Sequence, residues 1–142
     1  MDTIRRWLNQ HFDDLKSRHV DAVIDHYANR SDLYVHVEGP RWTTIGHDNV
    51  KKGWQDFFAS KIQIENIAWV EGPFIHAGTD MASASGIVDI HIRVDDHTSI
   101  TRLRGTYVLE HEGDAQWRVV HEHFSQPAQD PYGIGDWLKT NA

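Results

Sequence analysis

The chain has 142 residues, room for one domain with one core and too few for two ordinary ones. Its 39% hydrophobic and 25% charged residues mark a globular domain rather than a disordered segment. A net charge of −7, with 14 Lys and Arg scattered singly or in pairs, lacks the basic stripe that nucleic acid or an anionic membrane surface requires. No cysteine is present, which removes disulfides, thiolate catalysis and zinc–thiolate sites.

The stretch Met1-Asp2-Thr3-Ile4-Arg5-Arg6-Trp7 has no apolar run of signal-peptide length, and nothing later approaches a membrane span, so a cytoplasmic location is expected. Ile4, Trp7, Leu8, His11, Phe12 and Leu15 fall on one stripe of a helix that Asp2 or Thr3 can cap. Val20, Val23, Ile24 and Tyr27 repeat the period over a shorter length, and Asn29-Arg30-Ser31-Asp32 ends it. Leu33, Val35 and Val37 alternate with polar neighbours as a short strand. After a turn at Gly39-Pro40, Arg41-Trp42-Thr43-Thr44 reads as a second. Gly46-His47-Asp48-Asn49 opens a third helix with Val50, Trp54, Phe57 and Phe58 on its inner stripe.

From Lys61 onward the period is two. The spacing predicts strands over 62–75 (bent at Gly72-Pro73), 81–94, 99–111 and 116–125, joined by tight turns as an antiparallel meander. Residues 1–127 form the domain. The tail 128–142 is irregular apart from the vicinity of Trp137-Leu138. Helices followed by long strands define an α+β fold, a curved antiparallel sheet wrapped around N-terminal helices.

Two columns alternate on strand 81–94. One is apolar from Ala82 to Val94; the other carries Ser83, Ser85, Asp89, His91 and Arg93. Periodicity puts the apolar column on the core. On the last strand Trp117, Val119, His121, His123 and Ser125 oppose Arg118, Val120, Glu122 and Phe124. His121 and His123 share a face, but nothing obliges further ligands to converge on them, so neither a metal nor any other cofactor is expected.

The last strand reads W-x-x-V-H-x-H-x-S from Trp117 to Ser125, preceded by Arg104-Gly105-Thr106-Tyr107. With Tyr27-Ala28 and Gly46-His47-Asp48 it resembles the SnoaL-like, or nuclear-transport-factor-2-like, superfamily over nearly the whole chain. That family includes ketosteroid isomerases, polyketide cyclases, scytalone dehydratase and the association domain of calmodulin-dependent protein kinases. The resemblance implies a cystatin-like cone with a pocket. Phe124 stands where the association domain has a pocket Arg, and Asp89 and Tyr107 stand at the positions of its other arginines, so a carboxylate ligand is not implied. The first strand offers His36 or Glu38 where ketosteroid isomerases have their Asp.

The resemblance aims Glu122 and Phe124 into the cavity and favours Asp89 there too, leaving the apolar column of 82–94 on an outer face that pairs with a second copy. The acid–base candidates are then Glu122, Asp89 and His36. Tyr27, Trp54, Tyr107, Arg104 and Phe124 line the pocket, with Tyr107 or Tyr27 as hydrogen-bond donor. A Glu122 enclosed by Trp54, Phe57 and Phe58 would titrate high; alternatively it pairs with Arg102 or Arg104 and only holds the sheet. Arg104 either binds an anionic ligand group or anchors a buried carboxylate. The implied function is that of a homodimeric small-molecule-binding domain performing cofactor-free proton transfer, dehydration or isomerisation. The alternative is a non-catalytic oligomerisation or binding module like the kinase association domain.

Overall fold

A computed structural model describes residues 2–136 and 138. Trp137, where the tail is expected to gain some order, lies outside the described residues. Helix α1 (Asp2–Lys16) buries Ile4, Leu8, His11, Phe12 and Leu15, the stripe that the 3.6-residue period dictates. Helix α2 (Val20–Asp25) is a turn and a half, and the chain leaving it joins the sheet: the Val119 amide donates to the His26 carbonyl and the Ala28 amide to the Val119 carbonyl. Helix α3 (His47–Ala59) starts from Gly46, whose φ of 86° suits glycine. It packs Val50, Trp54, Phe57 and Phe58 against the core.

The strands are β1 (Tyr34–Val37), β2 (Thr44–Ile45), β3 (Gln63–Ala77), β4 (Met81–Val94), β5 (His97–His111) and β6 (Trp117–Ser125). They form one sheet in the order β2-β1-β6-β5-β4-β3. The four long strands make the expected antiparallel meander, whereas β1 lies parallel to β6, so the sheet is mixed. The second short strand falls later than the 41–44 read from sequence. Only Thr44 and Ile45 meet partners, Val35 and Tyr34, and Trp42 is 93% exposed in a loop that Pro40 cannot join to a ladder.

Strands β4 and β5 pair without a break from Met81–Glu110 to Val94–His97. Strand β6 does not keep a strict alternation. Val119 pairs with Leu109 and His121 with Val108, so Val120 is an extra residue, a β-bulge. Beyond it the faces exchange: Val119, Glu122 and Phe124 all lie on the buried side.

That side holds Val35, Ala82, Ala84, Val88, Leu103, Tyr107 and Leu109 beneath the helices. The apolar column of β4 is therefore core. The outer-face position implied by resemblance is corrected, because α1 and α3 need that surface to bury their own stripes. Gly86 and Gly105 stand opposite each other in the same layer. A Cβ on Gly105 would lie 2.1 Å from the Phe124 ring, and one on Gly86 2.2 Å from the Glu71 carbonyl oxygen. Among the described residues no helix is long and apolar enough to cross a membrane.

Candidate active site on the helix-covered face

Register brings the central polar groups together. Ala84 faces Tyr107, Tyr107 faces Glu122, and Glu122 faces Val35, in one row across four strands. Glu122 is 3% exposed, and the Tyr27 hydroxyl donates to its Oε1 at 2.7 Å. Trp54 packs beside Tyr27, with ring centroids 6.4 Å apart. Burial pushes the Glu122 carboxyl up to about 7, and the Tyr27 hydrogen bond only partly offsets it. Tyr27 and Tyr107 are themselves pushed well above the usual phenol range, first by burial and then by the Glu122 charge, so both remain phenols. Phe124 stacks edge-on to Tyr107 at 5.1 Å over the hydrogen of Gly105. The result is a carboxyl poised between its two protonation states, one firm donor and aromatic walls.

Five of the eight residues read from sequence meet there: Glu122, Tyr27, Trp54, Tyr107 and Phe124. The other three are on the opposite face. Asp89 pairs in register with Arg102, which binds it through two nitrogens at 2.7 and 2.9 Å and pulls its pKa down. It misses the interior because Val88, its neighbour in the pleat, takes the buried side. His36 packs beside His123 and His121, with ring centroids 4.9 and 5.7 Å away, and its Nδ1 meets the Trp42 carbonyl. Arg104 donates to the Ser125 hydroxyl at 3.2 Å and reaches no buried carboxylate. Neither Arg102 nor Arg104 is the partner of Glu122. Among the described residues no three His, Asp or Glu side chains are arranged to hold a metal.

A second polar chain enters from α1. Asp14, 5% exposed, lies 3.6 Å from His26 Nε2 and 3.1 Å from His19 Nδ1, and accepts from Gln10. His26 Nδ1 meets Nδ1 of the fully buried His11 at 2.7 Å. Burial lowers the pKa of both imidazoles, of His11 well below its ordinary value. His11 then touches the first cluster, its ring 5.5 Å from Tyr107 and 6.0 Å from Tyr27, both edge-on. Sequence reading passed over this group, although a histidine inside an otherwise apolar helical stripe was a visible signal. Tyr27 also lines a surface cleft of about 460 Å³ between α2, the start of α3 and the β5–β6 turn, with Arg30, His47 and Arg118.

The family model for the SnoaL-like domain matches residues 4–129, which takes in every element that positions the site. The chain belongs to this family. No curated protein matches this SnoaL-like domain. Its fold is shared with an NTF2-like superfamily protein of Salmonella enterica at 19% identity and TM-score 0.75, covering 95% of this chain and 96% of the other. A Xanthomonas campestris protein named for the calcium/calmodulin dependent protein kinase II association domain superposes with TM-score 0.70 at 16% identity, covering 89% and 87%. A ketosteroid isomerase-like protein of Erwinia carotovora gives 0.64 at 14%, covering 83% and 88%. At such identities these likenesses speak for the fold alone.

Proposed function

We propose that this SnoaL-like domain binds a small, flat organic molecule against the helix-covered face of its sheet, with Glu122 moving a proton and Tyr27 steadying the charge that develops. The observation that carries the reading is the 2.7 Å hydrogen bond between two buried groups, one of them a carboxyl whose pKa of about 7 suits a general acid or base near neutrality. Family membership supports small-molecule binding, and a cleft of about 460 Å³ opens beside Tyr27. Proton transfer next to a carbonyl, isomerisation and dehydration all need such a group, and none needs a cofactor.

A second reading has its own support. Phe124 fills the space over Gly105, which suits a binding or oligomerisation module without chemistry. One experiment separates the two: deuterium exchange at the α-carbon of 2-tetralone, a flat ketone, followed by NMR. Acceleration over buffer by the native chain and none by Glu122→Gln supports acid–base catalysis. Binding without exchange supports the module, and no binding at all overturns the catalytic reading.

Pairing of two copies through the helix-free face belongs to the same proposal. Ile100, Phe74 and Tyr34 expose 60%, 57% and 39% of their surface there. A particle of 16.4 kDa in sedimentation at micromolar concentration would overturn it.

A further inference from the structure

His11 has a role to fill that its surroundings define. Its ring is clamped by Trp7, stacked at 5.0 Å and 16°, and by the edges of Tyr107 and Tyr27. Its Nδ1 is engaged with His26, and its Nε2 is buried with no hydrogen-bond partner. The carboxylate of Asp14 decides which nitrogen carries the proton. Asp14 faces His26 Nε2, and a lone pair pointed at a carboxylate is repulsive, so Nε2 of His26 bears the hydrogen. His26 Nδ1 is then an acceptor, which requires the hydrogen of neutral His11 to sit on Nδ1. Nε2 of His11 is left as a bare lone pair among aromatic rings.

A second buried atom points the same way. Nε1 of Trp69 is an N–H donor without a partner, and its ring packs against the same Tyr107, centroids 6.5 Å apart. One acceptor and one donor thus flank Tyr107, and a hydroxyl, donor and acceptor at once, is the complementary group. The buried charged or polar side chains among the described residues are His11, Asp14 and Glu122, with no cation, so an anionic ligand finds no counter-charge.

We propose that Nε2 of His11 accepts a hydrogen bond from the hydroxyl of a flat, uncharged molecule held on this face, and that His26 and Asp14 are the positioning residues that keep it an acceptor. The proposal deepens the reading of this face as a small-molecule site and rests on it.

The test compares 2-naphthol with 2-methoxynaphthalene, the same rings without the donor hydrogen, by tryptophan fluorescence titration. The native chain is expected to bind 2-naphthol about tenfold more tightly, the value of one net hydrogen bond. His11→Phe keeps the ring stack, so it should bind both probes alike, at the affinity of the ether. His26→Phe should lose part of the preference with the ether unaffected. Nitrogen NMR on the native chain gives a readout that needs no variant to fold: His11 should carry its hydrogen on Nδ1, and only 2-naphthol should shift Nε2. A preference that survives in His11→Phe, equal binding of both probes to the native chain, or a hydrogen on Nε2 would each overturn the assignment. Failure of both probes to bind the native chain would instead overturn the reading of the face as a binding site, and the proposal with it.

Discussion

The two faces of the sheet carry the same chemical alphabet and put it to opposite uses. Each has a carboxylate from a central strand and a group of histidines. Glu122, on the helix-covered face, has no cation beside it and is pushed up by burial; Asp89, on the open face, is held down by Arg102. His11 is sealed and neutral, whereas His36, His121 and His123 sit near solvent with carbonyls for two of their Nδ1 atoms. Residue type therefore says little here. The side of the pleat on which a residue falls decides whether it is a poised acid or one half of a surface ion pair.

The largest expected contrast between the faces is steric. Gly86→Ala would drive a Cβ against the Glu71 backbone, so urea unfolding should report a loss of about 3 kcal/mol. Ser85→Ala, one residue away on the open face, should stay within about 0.5 kcal/mol. Equal losses would mean that the buried layer is not tightly packed.

The next contrast is in pH. Because the pKa of Glu122 in the folded chain lies above its ordinary 4.5, its contribution is complete below that pH and is lost as pH rises through about 7. The stability of Glu122→Gln relative to the native chain should accordingly improve by about 3 kcal/mol between pH ~4 and ~8. A difference that stays flat with pH would place Glu122 in water.

A smaller effect belongs to Tyr27→Phe. It removes the one hydrogen bond that favours the ionised carboxyl, so the Glu122 midpoint should climb above 7 in a carboxyl-carbon NMR titration, with about 1 kcal/mol of stability lost near neutrality. The smallest expected effect has the reverse sign. Asp89, lowered by Arg102, contributes only above its ordinary pKa and loses that contribution as pH falls. Asp89→Asn should thus be slightly less stable than the native chain at neutral pH and indistinguishable in acid. If it behaved like Glu122→Gln, the two faces would not differ in kind.

Helix positions were easy to read because one stripe can be buried only one way: Ile4, Leu8, Phe12 and Leu15 could not be anywhere else. A long strand with one column apolar and the other mixed is ambiguous, since either face of a sheet can meet a partner. Periodicity alone placed the β4 column correctly, and the family comparison drew Asp89 inward. For β6 the comparison was right about Glu122, whereas strict alternation would have turned Val119 or Glu122 to the wrong side. Alternation fails there because the bulge is encoded by pairing with β5, not by anything in Val119-Val120-His121. The His11–His26–Asp14 chain was hidden for another reason: His11 and Asp14 share α1, but only the packing of α1 against the end of α2 brings His26 to them.

The bulge at Val120 also governs how this chain should be compared with its relatives. Because Val119 and His121 already oppose consecutive residues of β5, losing codon 120 would straighten the strand and leave every later side chain on its present face. Length can therefore drift at this point during divergence without touching the interior. An alignment built on letters alone, spanning such a one-residue gap, would slide by one. It would then match the buried Glu122 of this chain to an exposed histidine in a relative and report a lost acid where none had been lost.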